Sequence, residues 1–197
     1  MMIKDWKKEI LTIPNLLSLF RLVLIPVYVA IYLNATLPVH YYIAGGILAV
    51  SCLTDMIDGK IARHFNMIST VGKVLDPIAD KATQFTLTVC LAIRYPVLWI
   101  LVGLFVLKEG FQLIAGYVFY RKGEMLTGAL MSGKVCTTVL FVSLILLVLI
   151  PTLSEDVVGI VAIVDGIFML IAFADYVRTY YKHTPMIQSV EDQTKDK

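Results

Sequence analysis

The chain has 197 residues, of which 58% are hydrophobic and 16% are charged, and its mean hydropathy is +0.81. A soluble domain needs a more charged surface than this, so water is not the main solvent of the folded protein. The formal net charge of +2 is too small to indicate nucleic-acid binding in so apolar a chain, and we expect no nucleic-acid partner.

Residues 1–14 are predicted to form a short amphipathic helix that lies at the membrane surface. Trp6 would enter the interface while the neighbouring lysines reach anionic headgroups. The segment has no uninterrupted apolar core followed by a cleavage site, which argues against a secretory signal. A solvated leader is the alternative interpretation.

Six apolar stretches follow, each about 20 residues long, which is the length that crosses a bilayer as a helix. Pro, Gly or Asn residues mark the breaks between them. The chain is therefore predicted to be an all-α polytopic membrane protein, with six transmembrane helices in a domain over residues 15–182 and a polar cytoplasmic tail over 183–197. The predicted spans are 15–34, 41–63, 76–95, 97–119, 129–150 and 157–180.

Lysine and arginine residues alternate between successive breaks. They precede the first span, flank the second and fourth breaks and follow the last span, whereas the first and fifth breaks contain none and the third has only Arg94. Cytoplasmic loops are enriched in these residues, so both termini are predicted to be cytoplasmic. No organelle-targeting segment is recognised, and we expect the protein in the cell membrane.

Four aspartates flank the second break, although a charge at the bilayer centre costs roughly 2.5–3.5 kcal/mol on insertion scales. Asp55 and Asp58 lie near the cytoplasmic end of the second span. Asp76 and Asp80 begin the third span from the same side, so both pairs reach a similar depth. Each spacing places its pair on one helix face. Asp76 could instead cap a helix that starts at Pro77, but capping explains none of the other three.

Carboxylates that converge in this way repel one another unless a positive species lies between them. Hard divalent ions such as Mg²⁺, Mn²⁺ or Ca²⁺ bind carboxylate oxygens, and the absence of His and Cys from the four argues against zinc. Two ions would balance four carboxylates. Gly59 and Ala62 leave room beside the aspartates for a ligand, and Arg63 can bind a phosphate, although small residues also serve close helix packing.

The spacing Asp55-x2-Asp58-Gly59-x2-Ala62-Arg63-x8-Gly72-x3-Asp76-x3-Asp80 resembles the complete signature of the CDP-alcohol phosphatidyltransferase family. The resemblance implies six transmembrane helices, usually in a homodimer, and transfer of a phosphatidyl group from CDP-diacylglycerol to an alcohol on the cytoplasmic side, with Mg²⁺ or Mn²⁺ as cofactor. It implies that the metal ligands are Asp55, Asp58, Asp76 and Asp80, that Asp80 is also the catalytic base, and that Asp55, Asp58, Gly59, Ala62, Arg63 and Gly72 bind CDP.

Three further motifs resemble those of phosphatidylglycerophosphate synthases: Ile13-Pro14-Asn15-Leu16-Leu17 with Phe20-Arg21, the run 75–81, and Gly133-Lys134. This resemblance implies glycerol 3-phosphate as the acceptor. The acceptor phosphate would need cations, and the candidates are Arg21, Lys81, Lys108 and Lys134.

The acceptor has alternatives, because Lys108-Glu109-Gly110 departs from the Arg-Glu-Phe that is common in those synthases. A cardiolipin synthase of the same family, which uses phosphatidylglycerol, is the closest of them, ahead of enzymes for serine or inositol phosphate. Lys108 could also form a structural pair with Glu109. A divalent-cation transporter is the alternative outside the transferases, but its path would need polar groups at both depths. The pattern indicates no role for Asp165.

Overall fold

A computed structural model describes residues 12–64, 71–121 and 130–195 of the chain. Within these ranges the ordered elements are helices and there is no strand, so the all-α prediction is confirmed for them. Helices suit an apolar surrounding because they satisfy their backbone N–H and C=O groups within the segment.

Six long helices among the described residues follow the apolar stretches of the sequence. They are α1 (Ile13–Leu33), α2 (Pro38–His64), α3 (Gly72–Arg94), α4 (Trp99–Arg121), α5 (Met131–Leu149) and α6 (Glu155–Lys195). A short 3-10 turn over Pro96–Leu98 precedes α4. The last helix continues to Lys195, through the segment predicted as a polar tail. The predicted interfacial helix over residues 1–14 lies mostly outside the described residues, and α1 begins at Ile13.

Four stretches of the described helices are long and apolar enough to cross a bilayer: Asn15–Leu33, Pro96–Phe119, Met131–Leu149 and Glu155–Lys182. The chain is thus membrane-embedded, but six spans are not confirmed. Helix α2 is apolar only over Pro38–Thr54, and α3 is not among the four. The physical reason is that the aspartates at positions 55, 58, 76 and 80 occupy the end of α2 and the beginning of α3.

The described residues form two compact units, one of residues 12–95 with 144–153 and the other of 96–143 with 154–195. In the first unit, α1 packs along both α2 and α3. Leu48 of α2 and Leu91 of α3 are buried there. The rings of Tyr28 and Tyr32 stack on α1 with their centroids 5.5 Å apart. Helix α1 therefore forms the centre of this unit.

In the second unit, α4 packs against α6. The rings of Phe111 and Phe173 meet edge to face with centroids 5.4 Å apart. Asp165 of α6 is 1% exposed, and its Oδ1 accepts a hydrogen bond of 3.1 Å from Ser143 Oγ of α5. Its Oδ2 has no hydrogen-bond partner among the described residues. The structure therefore gives Asp165 a buried polar contact between two helices.

Arg94 joins three segments at the end of α3 in the first unit. Its guanidinium carbon lies 4.4 Å from the ring centroid of Tyr41 and 5.4 Å from that of Tyr95. Its Nη2 donates a hydrogen bond of 2.8 Å to the carbonyl oxygen of Pro151, towards which the Tyr95 hydroxyl also points at 3.4 Å. A cation over aromatic faces, with a charge-assisted hydrogen bond, stabilises this end of the unit.

Replacement of Arg94 with Ala is expected to destabilise the protein without altering the site. Loss of the ring contact and of the charge-assisted hydrogen bond costs about 2 kcal/mol, which lowers the melting temperature by about 4–8 °C. Arg94 lies fourteen positions after Asp80 on α3, a rise of about 21 Å along the helix. We therefore expect the KM values for donor and acceptor to stay unchanged. Thermal unfolding in detergent measures the effect. Arg178→Ala, at an exposed position of α6, is the control. An equal shift in both variants would contradict the role assigned to Arg94.

Candidate active site

Helix α3 presents Asp76 and Asp80 one turn apart. The helix begins at Gly72 with Val71 at the N-cap position, where no side-chain cap hydrogen bond is made. The alternative that Asp76 caps a helix starting at Pro77 is therefore wrong, because Asp76 lies inside the helix. Residues four apart share a helix face, so both carboxylates project from the same side of α3. Both are partly buried, and their exposed part remains accessible to a ligand.

Ser18 of α1 contacts the first of these carboxylates. Its Oγ donates a hydrogen bond to Asp76 Oδ1, across 58 positions of sequence. The Ser18 side chain is fully buried. Sequence reasoning missed this residue, because a serine in an apolar helix carries neither charge nor motif spacing. Its only sequence signal is that it lies midway between Asn15 and Arg21, with three positions to either side.

A cleft in the first unit lies one helical turn beyond these residues. Arg21 lines it three positions after Ser18, and Thr83 lines it three positions after Asp80. The rest of its lining is mostly apolar and comprises Leu24, Ile25, Tyr28, Ile47, Leu48, Ser51 and Thr86. Arg21 is only 2% exposed. A guanidinium so far removed from solvent is suited to hold an anionic group, since its planar fork matches phosphate and carboxylate.

The other predicted acceptor-binding cations are divided between the two units. Lys81 follows Asp80 on α3, so the first unit contains Arg21 and Lys81 together with Asp76 and Asp80. Lys108 lies in the second unit, where it is 4% exposed and its Nζ is 2.6 Å from Glu109 Oε1. The structure thus shows the Lys108–Glu109 pair that the sequence leaves as an alternative. Lys134, in the first turn of α5, is exposed and also belongs to the second unit.

Most residues of the predicted CDP pocket lie outside the part of the chain whose side chains are described. Helix α2 runs through them, but nothing is established about the side chains of Asp55, Asp58, Gly59, Ala62 and Arg63. Gly72, the remaining member, is buried at the start of α3. Among the described residues there is no group of three or more His, Cys, Asp or Glu side chains that could hold a metal ion. Asp55 and Asp58, two of the four predicted metal ligands, are not among the residues whose side chains are described.

The carboxylates that are described fit a hard divalent ion. A carboxylate offers about four lone-pair positions, and the hydrogen bond from Ser18 uses one of those on Asp76. The carboxylates of Asp76 and of Asp80, one turn away, supply oxygen atoms of the kind that Mg²⁺ and Mn²⁺ take as ligands. Asp76 and Asp80 are therefore the described residues that could hold a metal.

A family model described as CDP-alcohol phosphatidyltransferase matches residues 11–175. The chain belongs to this family. The match includes Ser18, Arg21 and the whole of the signature from Asp55 to Asp80. The signature and the contact between Ser18 and Asp76 therefore both lie within the residues that match the family model.

The relatives that the chain matches include proteins named cardiolipin synthase and proteins named CDP-diacylglycerol–glycerol-3-phosphate 3-phosphatidyltransferase. The chain is 40% identical over 94 residues to a cardiolipin synthase (CMP-forming) / mitochondrial hydrolase fusion protein of Schizosaccharomyces pombe, covering 45% of this chain and only 14% of that protein. It is 33% identical over 176 residues to a cardiolipin synthase (CMP-forming) of Streptomyces coelicolor, covering 88% and 79%. It is 32% identical over 179 residues to a CDP-diacylglycerol–glycerol-3-phosphate 3-phosphatidyltransferase of Aquifex aeolicus, covering 87% and 97%. Similar identities to both kinds leave the acceptor open.

Proposed function

We propose that this CDP-alcohol phosphatidyltransferase transfers the phosphatidyl group of CDP-diacylglycerol to glycerol 3-phosphate, giving phosphatidylglycerophosphate and CMP. The observation that supports an acceptor with a phosphate is that the buried Arg21 lines a narrow pocket one helical turn from the carboxylates of α3. A cation beside the acceptor's phosphate would stabilise its negative charge. Arg21 supplies one within the same unit as Asp76 and Asp80.

Asp80 is proposed as the general base. Its carboxylate takes the proton of the acceptor hydroxyl, whose oxygen forms a new bond to the β-phosphorus of CDP-diacylglycerol. The bond between that phosphorus and the oxygen bridging to the α-phosphate breaks, and CMP leaves with its electron pair. Two Mg²⁺ or Mn²⁺ ions, held by Asp55, Asp58, Asp76 and Asp80, would neutralise the pyrophosphate charge.

Binding of the donor is assigned to the end of α2 and the start of α3. We propose that Gly59, Ala62 and Gly72 leave space for the cytidine, and that Arg63 binds its phosphates, together with Asp55 and Asp58 through the metal ions. The proposal includes six transmembrane helices, cytoplasmic termini and active site, and a homodimer. Support for sidedness comes from the distribution of Lys and Arg between the breaks.

The four cations are not equally suited to the acceptor phosphate. Lys108 has its charge balanced by Glu109 at 2.6 Å, so it needs no ligand phosphate to compensate for its burial. Arg21 and Lys81 are in the unit that contains the carboxylates of α3, and we propose them first. Lys134 and Lys108 follow as candidates in the second unit.

A cardiolipin synthase is the second candidate function, with phosphatidylglycerol as the acceptor. The relative of this name in Streptomyces coelicolor supports it, because that alignment covers 88% of the chain. This acceptor has a phosphate within a diester, which carries one negative charge, whereas glycerol 3-phosphate carries up to two at neutral pH. The two functions share the carboxylates and differ in what Arg21 binds.

The acceptor is tested by CMP release from CDP-diacylglycerol in detergent with Mg²⁺. Glycerol 3-phosphate, phosphatidylglycerol, serine and inositol phosphate are supplied separately, and we expect release with glycerol 3-phosphate alone. Release only with phosphatidylglycerol would establish the cardiolipin synthase instead. Absence of release with every acceptor would overturn the transferase mechanism described above.

The role of Arg21 is measured in the same assay with Arg21→Lys. The substitution keeps the charge but loses the fork, so we expect KM for glycerol 3-phosphate to rise about tenfold while KM for CDP-diacylglycerol stays unchanged. Arg178→Lys provides the matched control at an exposed position of the second unit. An unchanged KM for the acceptor in Arg21→Lys would remove Arg21 from the acceptor site.

A further inference from the structure

We infer that Ser18 is a positioning residue, which holds the Asp76 carboxylate in the orientation needed to bind a divalent ion. The inference rests on the proposed function, because it assumes that Asp76 is a metal ligand. The observation behind it is the hydrogen bond from Ser18 Oγ on α1 to Asp76 Oδ1 on α3. The metal ligands implied by the family motif all lie on α2 and α3, so this contact adds a third helix to the site.

The contact restrains a side chain that is otherwise free to rotate. The terminal torsion of an aspartate has broad preferences, so its two oxygens are not directed by the helix backbone alone. Ser18 has a short side chain on a helix that packs along α2 and α3, and the donor is therefore fixed in space. With Oδ1 held by this donor, the carboxylate keeps Oδ2 and further lone pairs that can serve as ligands. Asp76 is only partly buried, so an ion can reach its carboxylate.

Helix α1 has a buried polar stripe at this position. Asn15, Ser18 and Arg21 follow one another at intervals of three residues, and they are 1%, 0% and 2% exposed. Polar side chains are costly within an apolar helix and are retained where they have polar partners. Ser18 lies at the centre of the stripe and contacts Asp76, while Arg21 reaches the cleft. At its centre, the stripe therefore meets a polar group of α3.

Outer hydrogen-bond partners of metal ligands have measurable effects on metal affinity. Removal of such a partner commonly weakens metal binding about 10–100-fold, because the ligand must then be ordered by the ion itself. A serine that served only to pack α1 against α3 would affect stability but not metal affinity. The two roles are therefore separated by measuring the binding of the metal directly.

The test is Mn²⁺ binding to the purified full chain, followed by electron paramagnetic resonance of the free ion, for wild type, Ser18→Ala and Ser18→Thr. We expect Ser18→Ala to weaken Mn²⁺ binding at least about tenfold, with a matching rise in the Mg²⁺ concentration for half-maximal CMP release. Ser18→Thr keeps the hydroxyl and should restore most of the affinity. Ser143→Ala is the matched control, because it removes another serine-to-aspartate hydrogen bond, in the second unit.

Each outcome has a distinct meaning. Ser18→Ala that folds and binds Mn²⁺ like wild type would overturn the positioning role, as would equal weakening in Ser143→Ala. If Ser18→Ala does not fold, Ser18→Cys replaces it as a nearly isosteric variant with a weak donor. Failure of both to fold would assign Ser18 to packing and overturn the inference. Absence of Mn²⁺ binding to wild type would instead refute the proposed metal site itself.

Discussion

Replacement of Asp80 with Asn is expected to lower the rate of CMP release by about 10²–10⁴-fold. The amide has nearly the same size as the carboxylate, but it cannot accept the proton of the attacking hydroxyl and it is a poorer ligand for a hard cation. Asp80 lies on α3 and is only partly buried, so we expect the fold to tolerate the change. CMP release at saturating substrates measures the effect.

A matched control for this variant is Asp156→Asn, in the exposed first turn of α6. We expect it to release CMP at the wild-type rate. The melting temperatures of both variants should lie close to that of the wild type. A general base contributes about 10²–10⁴-fold to the rate. If folded Asp80→Asn released CMP within about tenfold of the wild-type rate, Asp80 would not be the general base.

Removal of divalent ions is expected to reduce CMP release to background. The proposed set of four carboxylates has no His or Cys, which suits hard cations, so activity should return with Mg²⁺ or Mn²⁺ and not with Zn²⁺. With two ions in the site, the rate at low Mg²⁺ should rise more steeply than the first power of the ion concentration. Titration of chelator-treated enzyme with each ion measures this dependence.

The control for ion removal is the melting temperature in the presence of the chelator, since unfolding would also abolish activity. A folded enzyme that releases CMP at an undiminished rate without divalent ions would contradict the metal-dependent mechanism. The family assignment would remain, because it rests on the match over residues 11–175.

The helices could be predicted from the sequence because apolar runs and Pro or Gly punctuation mark them directly. The sequence predicts that the third span starts at residue 76, four residues after the observed start of α3 at Gly72. The reason is that Gly72 and Lys73 interrupt the apolar pattern, although the helix includes them. The extension of α6 to Lys195 could not be predicted, because that segment is polar and contains Pro185. Local pattern therefore locates helix centres better than helix ends.

The sequence predicts only those parts of the candidate site that are formed by residues close together in the chain. The spacing of Asp76 and Asp80 places them on one face of a helix by geometry alone. The contact of Ser18 with Asp76 joins residues 58 positions apart and depends on how α1 packs against α3. The contact of Arg94 with Pro151 spans 57 positions and has the same dependence. Such pairs leave no periodic signal in a single sequence.

The two helices that contain the four aspartates, α2 and α3, are also the long helices of the described residues that fall short of a bilayer-spanning composition. In the six-span arrangement proposed above, neither would partition into lipid as readily alone as the other helices. Helix α1 is long and apolar enough to cross a bilayer over Asn15–Leu33, and it packs along both of them. It also precedes them in the chain, so a ribosome completes it first. Because α1 is synthesised first, its apolar surface is available when α2 and α3, which contain the aspartates, leave the ribosome and pack against it.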